Sequence, residues 1–286
     1  MQKQTTQTLS GQGPAERGEQ RPGHEWPMHA RGVGEMLDLA LELFVACIVP
    51  TVGLAFLMWL PVRCIWVLLE QRGANIEALR AIFNAFAGSL VHLMTVSLII
   101  QVVYGELQGR RPSLREPLIV ALKRAPALFL ATLVISLGTS IGMICMAVPG
   151  IVLMYVWSVA PAALVLERKG PLECLRRSYQ LVNNRFLAWA GITVCVYALK
   201  APYDAVAVCL DLPQVMNWAK DEIGVSPLVY SLAQVFLSAL LLAISSAAYA
   251  IAITVFYLDC RVRREGFDLA MRLERAESAS VSGPRL

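Results

Sequence analysis

Long apolar blocks separated by short polar connections fill most of the chain after residue 42. The block from Leu43 to Val62 runs for 20 residues without a charged side chain. A helix of ~20 apolar residues crosses the hydrocarbon layer of a bilayer, whereas a surface helix of a soluble protein keeps a polar face. The pattern therefore predicts six membrane-spanning helices, at 43–69, 83–105, 127–148, 150–166, 186–210 and 228–258.

Prolines and glycines refine this picture. Pro149-Gly150 interrupts a long apolar run, and because Pro-Gly is a strong turn pair, it predicts a tight hairpin between the third and fourth spans. Pro50 and Pro61 predict kinks in the first span, since each removes a backbone donor. The last block is longer than a bilayer requires and is expected to tilt or protrude.

Composition agrees with a membrane protein and divides the chain into three parts. Hydrophobic side chains make up 57% of the residues and charged ones 16%, outside the range of soluble domains. Residues 1–30 are instead rich in Gln, Gly, Pro and Glu and are expected to be a disordered cytoplasmic tail. We expect a six-helix membrane domain at 31–270 and a C-terminal cytoplasmic tail at 271–286.

Positive charges predict the orientation in the membrane. Of the 25 Lys and Arg residues, 20 fall on the N-terminal segment, the second and fourth connections and the C-terminal tail. Only 4 fall on the other side, and Lys200 lies within a span. This asymmetry predicts a multi-pass protein of the bacterial cytoplasmic (inner) membrane with both termini in the cytoplasm.

Three similar segments precede spans one, three and five. The segments that begin at Pro117 and Pro171 both read Pro-Leu, a short gap, then Leu followed by two basic residues, and 34–42 occupies the same place before the first span. Each hairpin also ends on an acid, namely Glu106, Glu167 and Asp259. Together these features predict an all-α fold of three transmembrane hairpins, each preceded by a cytoplasmic juxtamembrane amphipathic helix. Chance similarity of short basic segments is the alternative.

An acidic stripe marks the first of these segments. Glu35, Asp38 and Glu42 follow i, i+3, i+7 spacing and share one helix face. We expect this stripe to pair with arginines of the basic segments, of which the candidates are Arg176, Arg177, Arg261, Arg263 and Arg264. A carboxylate cluster for metal binding or acid–base chemistry is the alternative, which the lack of a nearby histidine disfavours.

No catalytic, cofactor-binding or metal-binding motif is found. The seven cysteines form no CxxC pair, which indicates buried reduced thiols rather than a disulfide framework or a zinc site. Nucleotide-binding loops, zinc-protease helices and serine-nucleophile elbows are missing from the sequence. We therefore expect no enzyme, no cofactor, no bound metal and no nucleic-acid partner.

Three ionisable residues inside predicted spans are candidates for an intramembrane polar site. Lys200 and Asp204 are four residues apart and share a helix face, while His92 stands alone in the second span. A charged group inside the bilayer usually pairs or lines a cavity. A structural ion pair near the outer rim and a hydrogen-bonded histidine are the favoured interpretations, with a transport site as the alternative.

The stretch YLDCRVRREGFDLA at 257–270 closes the last span. Arg261, Arg263 and Arg264 are expected at headgroup level, held partly by anionic lipid and partly by acids, with Glu35, Asp38 and Glu167 as candidates. Gly266 is expected to end the helix. These arginines, together with Asp259, are the predicted structural clasp of the cytoplasmic face; simple enforcement of the positive-inside rule is the alternative.

This stretch also resembles the closing signature of a bacterial membrane-domain family related to the membrane anchor of glycerophosphoryl diester phosphodiesterases. The segments GEMLDLALELF at 34–44 and VPGIVLMYVWSVAPAALVLERKGPLECLRRSYQLVNN at 148–184, with the basic helix at 117–124, resemble it too. Asn183-Asn184 stands where the family usually has glycine. The resemblance implies six helices with cytoplasmic termini, without the catalytic barrel of the phosphodiesterases.

We therefore expect a non-enzymatic membrane protein, acting as an accessory, scaffold or lipid-interacting factor whose partners are anionic headgroups of membrane lipids. The rival hypothesis is a small-solute or lipid transporter that uses His92, Lys200 and Asp204. A lipid-modifying enzyme ranks third, because no nucleophile and base can be named.

Overall fold

The fold is that of a computed structural model. The structure describes residues 31–71, 88–108, 115–210, 212–222, 224 and 226–266. Within these residues the regular structure is entirely helical. The expected tails at 1–30 and 271–286, and the end of the membrane domain at 267–270, lie outside the described residues.

Eleven helices are present in the described part of the chain. They are α1 Val33–Ala46, α2 Ile48–Gln71, α3 Ser89–Leu107, α4 Arg115–Lys123, α5 Ala125–Cys145, α6 Ala147–Val156, α7 Ala160–Leu166, α8 Pro171–Val182, α9 Phe186–Leu210, α10 Pro213–Glu222 and α11 Pro227–Glu265.

Among the described residues, six helical stretches are long and apolar enough to cross a membrane, which confirms the predicted number. They are Ile48–Leu68, Ser89–Leu107, Ala125–Cys145, Ala147–Leu166, Phe186–Leu210 and Pro227–Glu265. The first span begins five residues later than predicted, because 33–46 forms the separate helix α1. Pro50 falls in the first turn of α2, where no intrahelical donor is lost, and Pro61 lies inside it.

The longest helix, α11, is the centre of the bundle. Its 39 residues correspond to about 58 Å, nearly twice the ~30 Å hydrocarbon layer. It packs against α2, α9, α3 and α1. Ala243, Ala247 and Ala250 are fully buried along one face, where small side chains let neighbouring helices approach closely.

Both ends of α11 follow local sequence. The Oγ of Ser226 accepts a hydrogen bond from Val229 N at 3.4 Å, and Pro227 occupies the first helical position. At the other end, Gly266 adopts the left-handed conformation with φ 59° and ψ 34°, and its N–H donates to the carbonyl of Val262 at 3.1 Å. The expectation that Gly266 ends the helix is confirmed.

The turn between the third and fourth spans differs from the prediction. The chain reverses at Met146, whose backbone is extended (φ −163°, ψ 143°), and Pro149-Gly150 lies inside the first turns of α6. Proline is tolerated there because its missing N–H would have no intrahelical acceptor. Gly150 serves instead for close packing, since a Cβ on Gly142 would lie 3.0 Å from the Cα of Gly150.

The fourth span is broken near its middle. Helix α6 ends at Val156 and α7 begins at Ala160, with a turn between them. Residues 158–165 are all buried, and irregular backbone at membrane depth is tolerated where protein surrounds it. The carbonyl of Val156 accepts a hydrogen bond from the Ser178 hydroxyl of α8 at 2.6 Å, so α8 lies against the break.

Candidate functional site

The C-terminal end of α11 gathers an ion-pair network, with Asp259 at its centre. The Asp259 side chain is only 2% exposed and accepts hydrogen bonds from three parts of the chain. The backbone N–H of Arg31 donates to its Oδ1 at 2.8 Å, and an Nη of Arg185 donates to its Oδ2 at 2.6 Å. The Nε of Arg263 lies 3.1 Å from both oxygens. Asp259 therefore joins the segment before α1, the start of α9 and the last turn of α11.

Arg263 ties the same segment a second time. One of its Nη atoms donates to the carbonyl oxygen of Arg31 at 2.7 Å. Both polar groups of the Arg31 backbone are thus bonded to side chains of α11. Burial lowers the pKa of the Arg31 guanidinium, and the negative charge of Asp259 opposes that shift.

A second centre forms around Glu167, in the connection between α7 and α8. Its carboxylate accepts hydrogen bonds from the Nε of Arg177 at 2.8 Å and 3.0 Å and from the Tyr257 hydroxyl at 2.9 Å. Arg177 also donates to Glu265, which accepts from the Nε of Arg261 at 3.0 Å. Arg177 of α8 therefore bridges Glu167, in the α7–α8 connection, and Glu265, at the end of α11.

The electrostatics at Arg177 follow from this bridging position. Partial burial favours the neutral form, but hydrogen bonds to Glu167 and Glu265 outweigh it and raise the pKa of the guanidinium above its usual value. Arg177 stays charged at any physiological pH. Its charge is matched by two carboxylates, so it is held as a structural cation rather than left as a free acid or base.

The start of α9 is fixed by backbone contacts. The Nη2 of Arg264 donates to the carbonyl of Asn183 at 2.6 Å, and the N–H of Arg185 donates to the Tyr155 hydroxyl at 3.0 Å. Asn184 has a positive φ of 65°. Asparagine adopts this left-handed conformation more readily than most residues, so Asn184 is suited to this position.

Several predicted members of the clasp lie outside this network. Glu35 accepts a hydrogen bond from the N–H of Gly32 at 3.1 Å and so caps its own helix. Asp38 is exposed and forms no ion pair with any described residue. Arg176 is likewise exposed. The expected pairing of the acidic stripe with Arg176, Arg177 or the arginines of α11 is therefore wrong: the stripe faces outward from α1, whereas its buried face carries apolar side chains.

Helices α1 and α8 nevertheless begin alike. Gly170 N donates to the Glu173 side chain at 3.3 Å, as Gly32 N does to Glu35. The N-cap backbones match closely, with φ −70° and ψ 168° at Gly32 and φ −70° and ψ 166° at Gly170. Since glycine has no side chain, only the glutamate half of a capping box forms in each case.

Ionisable side chains inside the spans form one connected row, which we call the polar file: His92, Tyr249, Tyr197, Lys200 and Asp204. Lys200 and Asp204 form an ion pair within α9, and the Lys200 ammonium lies 5.5 Å from the ring centre of Tyr197. The ring centres of Tyr197 and Tyr249 of α11 are 6.3 Å apart, and those of Tyr249 and His92 in α3 are 5.6 Å apart. Three helices thus bring the residues of the predicted alternative site into one connected group.

The sequence interpretation missed other members of the network. Arg31, Arg185, Glu265 and Tyr257 were not singled out, although Arg185 directly precedes a span and Glu265 follows Arg261 at i+4 spacing. Arg63 was not singled out either; it lies within α2, is 8% exposed, and its Nε donates to the Ser238 hydroxyl of α11 at 2.8 Å.

Metal-binding geometry is not found in the part of the chain that the structure describes: no three His, Cys, Asp or Glu side chains come together as possible ligands. Cys174 is buried in α8, and burial raises the pKa of its thiol to about 11.

Comparison with known proteins gives one partial match. Residues 132–259, less than half of the chain, are similar to a domain of unknown function, DUF7847. The match extends from α5 to Asp259 and so includes the broken fourth span, α8 and most of α11. It provides no link to the membrane anchor of glycerophosphoryl diester phosphodiesterases. No curated protein and no solved structure matches the chain.

Proposed function

We propose that the chain is a non-enzymatic scaffold or accessory protein of the bacterial cytoplasmic membrane, with both termini in the cytoplasm, that interacts with anionic lipid. The proposed arrangement is three transmembrane hairpins, each preceded by a juxtamembrane helix (α1, α4 and α8). The charge asymmetry of the connections supports this orientation. The sequence resemblance to the phosphodiesterase membrane anchor supports a six-helix membrane domain with cytoplasmic termini.

The observation that carries the proposal is the ion-pair network at one end of the bundle. It links the segment before α1, the α7–α8 connection, the start of α9 and the end of α11 through ion pairs and hydrogen bonds. Each carboxylate of this network is paired with at least one arginine, which favours a structural role over action on a substrate. The network holds four chain segments in one arrangement, which is what a rigid docking platform requires.

Replacing Arg261, Arg263 and Arg264 by lysine tests the clasp. Lysine keeps the charges but loses the planar fork that bonds the carboxylates, Arg31 and Asn183. We expect lower thermal stability in detergent with unchanged membrane topology. If stability and membrane levels both stay at wild-type values, the arginines serve only the positive-inside rule. Mass spectrometry of co-purified lipids and proteins would test the scaffold role, and absence of any enriched lipid or protein would contradict it.

A transporter is the second candidate, and the polar file favours it. His92, Tyr249, Tyr197, Lys200 and Asp204 connect α3, α11 and α9, and all carry groups that exchange protons. Ionisable residues within spans commonly mark ion or proton pathways. A structural ion pair between Lys200 and Asp204 explains the same contacts without transport.

Proton flux distinguishes these interpretations. The protein is reconstituted in vesicles that contain a pH-sensitive dye, and a membrane potential is imposed. Proton transport predicts acidification that Asp204→Asn and His92→Ala reduce at least tenfold, whereas Asp38→Asn, on the exposed face of α1, leaves it unchanged. Flux no greater than that of protein-free vesicles would contradict proton transport through this file.

A further inference from the structure

Two classes of cation lie at the end of the bundle that carries the ion-pair network, which we call the network end. Arg177, Arg185 and Arg263 each form an ion pair with a carboxylate of the network. Lys123, Arg168 and Arg176 are instead exposed, and none of these three forms an ion pair with a described residue. The first class is used within the protein, and the second remains available to an external anion.

The residues of the second class lie on neighbouring segments, namely the α4–α5 junction, the α7–α8 connection and α8. Arg124, the neighbour of Lys123, donates from its guanidinium to the carbonyls of Leu164 at 3.1 Å and Arg168 at 3.2 Å. This contact holds the α4–α5 junction against the α7–α8 connection. Arg176 follows within α8, which begins only three residues after Arg168. We call Lys123, Arg168 and Arg176 the basic corner.

Exposed apolar side chains flank the basic corner. Leu122 is 70% exposed, Leu172 67% and Tyr179 54%. Leu172, Arg176 and Tyr179 have i, i+4, i+7 spacing, so one exposed stripe of α8 carries an apolar, a cationic and an amphipathic side chain, with the exposed acid Glu173 beside it. The opposite face of α8 is buried in the protein. A helix with an apolar and cationic outer face lies naturally in the interfacial layer of an anionic bilayer.

The lipid-facing surface is continuous with this corner. Helix α9 starts four residues after α8 with Phe186, which is 43% exposed, and Leu187, which is 84% exposed. The adjacent span α5 also exposes large apolar side chains, among them Phe129. The basic corner therefore lies where apolar spans meet the polar end of the bundle.

We propose that the basic corner binds the phosphate groups of anionic phospholipids in the surrounding bilayer. This inference rests on the proposed lipid-interacting function and assigns its contact site. It moves that site away from Arg261, Arg263 and Arg264, whose guanidiniums bond protein atoms. Arg168 and Arg176 supply planar forks for phosphate oxygens, Lys123 supplies a point charge, and Leu122, Leu172 and Tyr179 insert beside the acyl chains.

The test compares a charge-removed corner with a matched control. Lys123→Gln/Arg168→Gln/Arg176→Gln removes the three cations, and Lys3→Gln/Arg17→Gln/Arg21→Gln removes the same charge from the N-terminal segment. Purified full-length proteins are titrated with short-chain phosphatidylglycerol, short-chain phosphatidylcholine and inorganic phosphate, and binding is followed by the shift in thermal stability. A further variant, Arg168→Lys/Arg176→Lys with Lys123 unchanged, retains the three charges and reports on folding and geometry.

The wild type and the N-terminal control are expected to bind phosphatidylglycerol about tenfold or more tightly than the corner variant does. The lysine variant keeps most of this affinity, and phosphatidylcholine shows no difference. A corner variant that keeps wild-type preference for phosphatidylglycerol would overturn the assignment while leaving lipid interaction intact. If the wild-type protein shows no preference for phosphatidylglycerol, the proposed lipid-interacting function is itself contradicted. Equal affinity for inorganic phosphate would indicate a free-anion site and also overturn the proposal.

Discussion

Neutralising Asp259 is expected to loosen the whole network end of the bundle. Asp259→Asn keeps the size of the side chain and leaves one carbonyl oxygen for the N–H of Arg31. The second oxygen becomes an NH₂ group, which is a donor where the guanidiniums of Arg185 and Arg263 also donate. The variant therefore loses both ion pairs and places donors against donors.

The magnitude follows from burial. Removing one partner of a fully buried ion pair costs roughly 3–5 kcal/mol, whereas an exposed pair contributes ~1 kcal/mol or less. The Asp259 side chain is 2% exposed, but Arg185 is 24% and Arg263 is 36% exposed, so both arginines can reach solvent or headgroups after the change. We expect Asp259→Asn to lower the free energy of unfolding by about 2–3 kcal/mol, between these limits.

Reversible unfolding in mixed micelles, with increasing mole fraction of SDS, measures this free energy. Asp38→Asn is the matched control, because Asp38 is an exposed acid without a described partner, and its change is expected to stay within about 0.5 kcal/mol. In a double-mutant cycle, Asp259→Asn with Arg185→Gln should destabilise by less than the sum of the single changes. A loss below 0.5 kcal/mol for Asp259→Asn, or strict additivity with Arg185→Gln, would refute the central role of Asp259.

Two further predictions concern packing and thiol reactivity. Gly150→Ala is expected to lower the free energy of unfolding by roughly 1–3 kcal/mol, since a Cβ there would lie 2.8 Å from the backbone nitrogen of Met143. Gly34→Ala is the control: a Cβ on Gly34 would meet nothing within 4 Å, so this variant should be neutral or stabilising in the same assay. Cys174 should resist maleimide at pH 7–8 in the folded protein, because its raised pKa of about 11 keeps the thiol protonated and burial blocks access, and should react after unfolding. Rapid labelling of Cys174 in the native state would contradict its position on the buried face of α8.

The sequence by itself determined the membrane class, the number of spans and the end of α11. Apolar length is a local property, because a stretch of ~20 residues either satisfies its backbone within a helix or cannot enter hydrocarbon. Gly266 ends α11 for a local reason too: it adopts the left-handed conformation at little steric cost. The sequence also selected Asp259, Glu167 and the arginines of α11 as notable charges.

The tertiary structure decided which of these charges meet. Spacing placed Glu35 and Asp38 on one face of α1, but only packing showed that this face points outward and that Asp259 bonds the Arg31 backbone instead. Periodicity describes one element at a time, and the partner of an arginine depends on how separate helices are placed. The turn moved to Met146 for a similar reason: Gly150 is required where α5 and α6 come together, and that contact does not exist until both helices have packed.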